Sequence, residues 1–373
     1  MKRRSFLRTG AATGLAGAAA GCLGFRLRET GGAGVPPVPS DRPDGVYVPG
    51  HVEGMKVVGT RTVGDYSVAL LYSYAHRFWN VNGAAVERTS IGSDDDLHLM
   101  AVVWDAETGQ VLPDTGLSVE VTQDGDLVTQ EVIYPMLSQP MGFHYGANFS
   151  LNGDGAYTAT LSVGAVSTRR TGAFADRLDE PADIDVEFDY SAAAKEEIPF
   201  RTLERGGEPG AVDPMTHEAL PDSRAPARDA LPGTVVGAAS SNDAVLVATV
   251  LESPPSGVDA AGGDGAGEGS AYLAVSARTP YNRMLVPAMA LEATLTRGGD
   301  EVFAGDLTRT LDPSLSYHYG AVVDGAVADG DELTLTPTVW PQTARHEGYE
   351  TAFGGLAGGM PPVTIPVSRD GSE

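Results

Sequence analysis

Five residues of this chain have side chains that could bind a soft metal ion together. His98 and Met100 are two positions apart in a run of strand-forming residues, so both side chains are expected on one face of a strand. Met136, Met141 and His144 follow in a short segment that contains proline and glycine. Imidazole and thioether groups suit copper better than magnesium or calcium. The alternative is structural, with the histidines as ordinary core residues and the methionines as fillers of irregular gaps.

The tetrapeptide His-Tyr-Gly-Ala, which begins at His144, occurs again at 318–321. The two copies are 174 residues apart (318 − 144), and at that offset leucine, proline, threonine and Gly-Asp positions recur between 98–147 and 272–321. A repeat of this length is too long for a solenoid unit. It therefore predicts two tandem domains of one fold.

The elements that must position these residues are predicted to be strands. Short runs rich in valine, leucine, threonine and tyrosine alternate with turn sequences, and about seven such runs in one repeat are typical of an immunoglobulin-like β-sandwich. The predicted fold is thus all-β, with two tandem immunoglobulin-like domains at 50–190 and 233–368. Residues 191–232 have the composition of a linker, and 369–373 form a tail.

Composition narrows the class of protein. The chain has 373 residues, with 50 acidic and 25 basic side chains and a net charge of −25. An acidic chain whose basic residues are nearly all arginine suits hydration in high salt, although an ordinary acidic protein is the alternative. No basic stripe follows the first eight residues, which excludes nucleic acid as an expected partner.

Residues 1–22 are predicted to be a twin-arginine lipoprotein signal. Arg3 and Arg4 precede a short stretch of small apolar residues that ends in Ala-Ala-Gly before Cys22, the single cysteine of the chain. This pattern predicts export and a lipid anchor on Cys22, followed by a flexible stalk over 23–49. An incidental cysteine beside an ordinary cleavage site is the alternative.

The segment Tyr-Pro-Met-Leu-Ser-Gln-Pro-Met-Gly-Phe-His-Tyr-Gly-Ala-Asn at 134–148, followed by Gly-Asp-Gly-Ala-Tyr at 153–157, resembles the signature of the periplasmic iron-uptake metal-binding proteins. Asp-Leu-His-Leu at 96–99 and Gly-Met at 54–55 also resemble segments of that family. The resemblance covers about 50–190. It implies an immunoglobulin-like dimer that binds copper and takes part in iron import alongside a membrane permease.

Carried over by this resemblance, the family's ligands fall on His98, Met136 and His144. The loop from methionine to histidine is one residue longer here, so Met141 could replace Met136. Met100 stands where the family has an acidic residue, which favours copper over iron. Asp96 is close enough in sequence to accept a hydrogen bond from the ring of His98.

The family's fourth ligand is a histidine contributed across the dimer interface. The first repeat has Arg169-Arg170 at that place, whereas the second has Arg345-His346. The second repeat has in turn lost the other ligands and keeps only His318. We therefore expect a monomeric pseudo-dimer in which His346 completes a single site. Alternatively, both sites are degenerate and His318 serves packing alone.

These patterns favour a lipid-anchored, extracytoplasmic metal-binding protein that captures copper, or alternatively iron, and passes it to a membrane permease. No nucleophile elbow, phosphate loop or HExxH motif is present, so an enzyme is not expected. The alternatives are a metal-free surface module that binds another protein and, less favoured, a redox protein. His76 is interpreted as a hydrophobic core anchor, with the alternative that its aromatic loop covers the site or contacts a partner. His51 is interpreted as a solvated loop residue.

Overall fold

The computed structural model describes residues 35–258 and 269–369. The predicted signal over 1–22, including Cys22, lies outside these ranges. The regular secondary structure of the described residues is almost all strand, which confirms the predicted all-β class and the two immunoglobulin-like sandwiches. No helix in this part of the chain has the length and apolar character needed to cross a membrane.

The first repeat forms two packed sheets. Its strands β1 to β13 are, in order, His51–Glu53, Lys56–Val63, Tyr66–Ser73, Phe78–Asn82, Ala85–Thr89, Leu97–Asp105, Leu117–Gln123, Asp126–Val132, Tyr134–Ser138, Gly142–Phe149, Gly155–Val163, Arg169–Arg170 and Ala182–Tyr190. One sheet has the order β13-β11-β7-β8, and the other contains β2-β3-β6-β10-β9.

The second repeat has the same plan. After the first repeat come helix α1 (Ala192–Glu196) and strand β14 (Phe200–Thr202). The strands β15 to β23 are then Thr234–Ser241, Ala244–Leu251, Ala271–Arg278, Ala290–Arg297, Asp300–Asp312, Ser316–Val323, Glu332–Val339, Ala344–Arg345 and Val363–Pro366. Short 3-10 helices cover Gly172–Phe174 and Arg228–Ala230. Strand β19 crosses between layers, pairing with β18 through 300–307 and with β20 through 308–312.

Apolar and acidic residues alternate along the strands, which explains both the apolar core and the acidic surface. In β13, Ile184, Val186 and Phe188 are buried, whereas the acidic residues between them are exposed. A period of two places these carboxylates on the solvent face and the apolar residues in the sandwich core. Strand β6 differs because nearly all of its residues are buried. One of its faces lies in the core and the other carries the candidate site.

Each repeat contributes a short strand to the other. Strand β22 of the second repeat lies between β9 and β4, where Ala344 pairs in parallel with Met136. Its counterpart β12 pairs in parallel with β19, where Arg169 faces Thr310. The exchange is reciprocal, as in a dimer whose subunits have been joined in one chain.

This exchange corrects the alignment of the repeats by one residue. The backbone N–H of His346 donates to the carbonyl of Leu137 at 3.0 Å, and the backbone N–H of Thr171 donates to that of Leu311, also at 3.0 Å. Leu137 and Leu311 are equivalent in the repeat. The counterpart of His346 is therefore Thr171 and not Arg170, because the connection before the exchanged strand differs in length between the repeats.

The predicted stalk and linker are both more ordered than expected. Val46, Tyr47 and Val48 are buried, and the Tyr47 hydroxyl donates to Glu350, so the stalk over 23–49 is too long at its carboxyl end. The linker over 191–232 holds α1 and β14, and β14 pairs with β1. Its backbone also reaches the loop before β10, where Met215 N–H donates to the Pro140 carbonyl at 2.8 Å. Glycine, proline, alanine and charge predicted a linker here, but not this packing.

Candidate metal centre

Strands β6, β9 and β10 place four of the predicted side chains on one sheet face. The register pairs His98 with Asn148 and Met136 with His144. Directly paired residues in antiparallel strands share a face, and Met100 follows His98 by two positions on β6. His98, Met100, Met136 and His144 therefore project in the same direction, away from the core of the first sandwich.

The second repeat supplies a third imidazole to this face. The His346 ring centroid lies 5.1 Å from that of His144 and 5.6 Å from that of His98. Arg345 fixes the position of the segment, since its buried guanidinium donates to the carbonyls of Pro341, Ala352 and Phe353. The three histidines predicted from sequence thus come together, although one of them is some 200 residues along the chain from the others. His98, His144 and His346 are called the imidazole centre below.

His76 lies beside this centre and was misinterpreted as a core anchor. Its ring centroid is 4.0 Å from that of His98 and 4.7 Å from that of His346. Ligand atoms of these three histidines all lie within 4.8 Å of one another. An ion pair between the neighbouring residues Arg77 and Glu347 ties the two repeats together at this point. The repeat carries little signal for His76, because the second repeat has a low-complexity sequence at 254–269 in place of the His-Arg-Phe-Trp sequence.

Hydrogen bonds at Nδ1 leave Nε2 of His98 and of His144 available. His98 Nδ1 lies 2.8 Å from Asn148 Oδ1, and His144 Nδ1 lies 3.1 Å from the Gly142 carbonyl. Acceptors at Nδ1 favour the tautomer in which Nε2 has a free lone pair. The Nε2 atoms of His76, His98, His144 and His346 are buried and have no hydrogen-bond partner within 35–258 and 269–369. Such a set of unpaired nitrogens is costly unless it binds something.

Asn148, and not Asp96, orients the ring of His98. One Asp96 carboxylate oxygen instead accepts from the Leu151 backbone N–H at 2.7 Å, and its backbone carbonyl accepts from Lys195. The prediction for Asp96 was wrong because it rested on proximity in sequence, whereas Asn148 is directly opposite His98 in the register.

Burial keeps the imidazoles neutral. It holds the pKa of His98 well below the usual range and lowers that of His144 to about 4. Burial, followed by the neighbouring imidazoles, likewise lowers the pKa of His346. Metal ligands must be deprotonated, so these rings are ready to coordinate a cation at neutral pH.

The methionines occupy two levels of the site. Met100 and Met141 line a cavity of about 90 Å³ with His144 and His346. Met136 is fully buried and packs against Phe78 and Ala344, outside that lining. A cavity of this size has room for a metal ion.

Gly146 makes room for the His98 ring. A Cβ atom at this position would lie 2.6 Å from His98 Nε2, closer than real contacts allow. The glycine of the His-Tyr-Gly-Ala motif therefore serves the imidazole centre directly.

The second repeat keeps the backbone of this site but replaces its ligands. Tyr272 and Thr310 stand at the positions of His98 and Met136. His318 retains the arrangement of His144, with Nδ1 2.9 Å from the carbonyl two residues earlier. Its Nε2, however, lies 3.0 Å from the Tyr272 hydroxyl and is not available to a metal.

Arg169 of the first repeat fills the space that remains. Its guanidinium donates to the Tyr272 hydroxyl at 2.8 Å, to the Gly320 carbonyl at 2.9 Å and to the Thr310 hydroxyl at 2.9 Å. The exchanged segment of the first repeat thus delivers an arginine to the second repeat, from the position that corresponds to Ala344 and not from that of His346.

Comparison with known proteins supports the division into two repeats. Residues 62–196 match the family of Fe2+ transport proteins, which confirms the resemblance of the first repeat to iron-uptake proteins. Residues 229–365 match a separate family, described only as a domain of unknown function. No curated protein matches the chain.

Several solved structures are similar to part of the chain. FetP of uropathogenic Escherichia coli is 18% identical, with a TM-score of 0.28, and covers 38% of this chain and 96% of its own length. A copper-bound variant of FetP is 20% identical, with a TM-score of 0.28, and covers 38% and 97%. A copper-reconstituted protein of Campylobacter jejuni is 17% identical, with a TM-score of 0.29, and covers 38% and 96%.

Proposed function

We propose that this chain, whose first repeat matches the Fe2+ transport proteins, is an extracytoplasmic metal-binding protein that captures copper or ferrous iron for uptake. The observation that carries the proposal is the imidazole centre. The Nε2 atoms of His98, His144 and His346 are buried and unpaired there, and the ring centroids of His98 and His144 lie 5.6 and 5.1 Å from that of His346. In the second repeat the equivalent nitrogen of His318 has a partner. Nitrogen atoms left unpaired at one of two related places point to a ligand at that place.

The donor set favours copper. Three neutral imidazoles would hold the ion, and Met100 and Met141 in the cavity wall add soft thioether groups. Met136, paired with His144 on the same sheet face, is the ligand implied by the family resemblance and remains a candidate beside Met141. Fe(II) is the alternative cargo, since imidazole also suits iron.

The cell-biological part of the proposal rests on the amino-terminal sequence. Twin-arginine export and lipidation of Cys22 would hold the protein outside the cell membrane. A membrane permease would then receive the metal. We place the protein among binding proteins rather than enzymes because its first repeat matches the Fe2+ transport proteins.

Metal titration of the purified chain tests this proposal. We expect one tightly bound Cu(I) per chain, with affinity reduced about 100-fold or more in His144→Ala and about tenfold or more in His346→Ala, because each loses one nitrogen ligand. His318→Ala is the matched control and should bind copper as the unmodified chain does. Circular dichroism checks that each variant is folded.

The difference in copper affinity between His346→Ala and His318→Ala decides whether the repeats share a single site. Equal losses in both variants would overturn a single site shared between the repeats. No metal binding at all would favour the metal-free surface module.

A further inference from the structure

A second cavity adjoins that of the imidazole centre. It has a volume of about 180 Å³, and its lining includes Met141, Met215 and Met284. Pro140 and Met141 line both cavities, so the two spaces meet at this short segment. The three methionines come from distant parts of the chain, namely the residue before β10, the linker and the loop between β17 and β18. The second space is called the thioether cavity below.

Methionines are concentrated around these two cavities. The chain has nine methionines, and Met1 lies outside the described residues, which leaves eight. Met55 and Met100 line the cavity of the imidazole centre, so five of the eight line one cavity or the other. The three that do not are Met136, Met289 and Met360. Methionines that only filled gaps in the core would be spread over both sandwiches, so their concentration here indicates a role in metal handling.

The sulfur atom of Met284 lies beside the segment that holds His144. The Ser223 hydroxyl donates to the Met141 carbonyl at 2.9 Å and lies 3.4 Å from Met284 Sδ. A Cβ atom at Gly142 would lie 2.9 Å from the same sulfur. Since the Gly142 carbonyl lies 3.1 Å from His144 Nδ1, Met284 packs on backbone that orients a centre histidine.

The thioether cavity extends from the surface into the protein. Its lining includes four exposed residues, which are Thr216, His217, Asp222 and Arg224. Met215 is half-buried, whereas Met141 and Met284 are buried. Every residue that lines the cavity of the imidazole centre is, by contrast, buried or half-buried. A chain with a net charge of −25 attracts cations to its surface, so the exposed end can receive a metal ion.

The chemistry of the lining favours Cu(I). Beyond the exposed end, the side chains with donor atoms are the three thioethers and the Ser223 hydroxyl. Soft thioether groups select Cu(I), whereas carboxylate and water ligands suit harder cations. A Cu(I) ion can therefore pass from one sulfur to the next and reach Met141, which also lines the cavity that contains His144 and His346.

We propose that the thioether cavity is the route by which Cu(I) enters the imidazole centre. This inference rests on the proposed function and deepens it, because it names the oxidation state of the copper and its path. The second repeat then has two tasks, since it contributes Met284 to loading and His346 to binding. The linker contributes Met215 and is part of the metal-handling apparatus.

Stopped-flow transfer of Cu(I) from a chromophoric chelator to the purified chain tests the route. The test variant is Met215→Leu with Met284→Leu, because leucine removes the sulfur and nearly keeps the volume. We expect loading to become about tenfold slower or more, since the barrier to entry rises without these ligands. Equilibrium Cu(I) affinity should stay within about twofold, because neither residue lines the cavity of the imidazole centre.

Met289→Leu with Met360→Leu is the matched control. Both methionines are buried and line neither cavity, so this variant should load at the rate of the unmodified chain. Circular dichroism checks that both double variants are folded. If the test variant is unfolded, Met215→Leu alone replaces it, and we expect loading to become about threefold slower.

An unchanged loading rate in the test variant, or equal slowing in the test and control variants, would overturn the route while leaving copper capture intact. Absence of Cu(I) binding at equilibrium in the unmodified chain would overturn copper capture and the route together. The rate and the equilibrium affinity therefore tell the two failures apart.

Discussion

Each repeat has a buried histidine at the same place in its backbone, but the surroundings of the two histidines differ. In the first, His144 and its neighbours leave unpaired ring nitrogens that can receive a cation. In the second, the equivalent His318 bonds to Tyr272, and Arg169 fills the remaining space with a fixed positive charge. A buried polar pocket is unstable when its groups lack partners. Once the metal ligands were replaced, an internal guanidinium satisfied the tyrosine, threonine and carbonyl groups.

The exchanged strands explain how one chain keeps a single centre. The residue after strand β22, His346, reaches the first repeat, and Arg169 of strand β12 reaches the second from a different position of the exchanged segment. In a symmetric dimer both strands would have to carry the same residue. Duplication within one chain removes that requirement, so one repeat can specialise in binding while the other supplies a ligand and a stable partner surface.

The largest expected effect comes from the paired glycines beneath the two sites. Gly146→Ala would place a Cβ atom 2.6 Å from His98 Nε2, so the ring must move from its ligand position. We expect Cu(I) affinity to fall about 100-fold or more, since ligand geometry must hold within about 0.5 Å. Competition with a chromophoric copper chelator measures the change.

Gly320→Ala is the matched variant. Its Cβ atom would lie 2.1 Å from the Tyr272 hydroxyl, so the second repeat should lose about 1 to 3 kcal/mol of stability through overpacking. Copper affinity should not change. If Gly320→Ala weakened copper binding as much as Gly146→Ala, the two pockets would not be functionally distinct.

Arg169→Ala tests the other side of the comparison. It removes three hydrogen-bond donations, to Tyr272, Thr310 and Gly320, and leaves a cavity. We expect the free energy of unfolding in urea to fall by about 2 kcal/mol or more, because buried acceptors lose a charged donor. Copper affinity should remain within about twofold, since additivity holds for separate sites.

Arg61→Ala is the control for this change. Arg61 is exposed on β2, and its Nη1 bonds only the neighbouring Thr60 carbonyl, so its loss should cost at most about 0.5 kcal/mol. Equal destabilisation by both variants would mean that Arg169 has no special role as a replacement for the metal.

Much of the fold could be predicted from sequence because its signals are local. The alternation in β13 and the repeated His-Tyr-Gly-Ala motif fix strand character and duplication without knowledge of distant contacts. The order of residues 46–48 could not be predicted, since Tyr47 is held by Glu350, which is 303 residues further along the chain. The exchange of β12 and β22 is a pairing of the same long-range kind.

The residues of the candidate site also fall into those with local sequence signals and those placed by long-range contacts. His98, His144 and His346 carry motif or repeat signals and were predicted. His76 carries none, because it reaches the cavity from a loop whose position depends on Asn148. Proximity in sequence also predicted the wrong hydrogen-bond partner for His98, because that partner is set by the cross-strand register.

Asn148 therefore provides the finest test of the comparison, because it has no metal-binding atom of its own in the centre. Its Oδ1 holds His98 Nδ1 at 2.8 Å, and its Nδ2 donates to the His76 carbonyl at 3.0 Å. Asn148→Ala should weaken Cu(I) binding about tenfold, which is typical when a partner that orients a ligand is lost. Asn148→Asp keeps an acceptor for His98 and should retain affinity within about threefold. Should alanine and aspartate weaken copper binding equally, the donation to His76, rather than the orientation of His98, would be the contribution of Asn148.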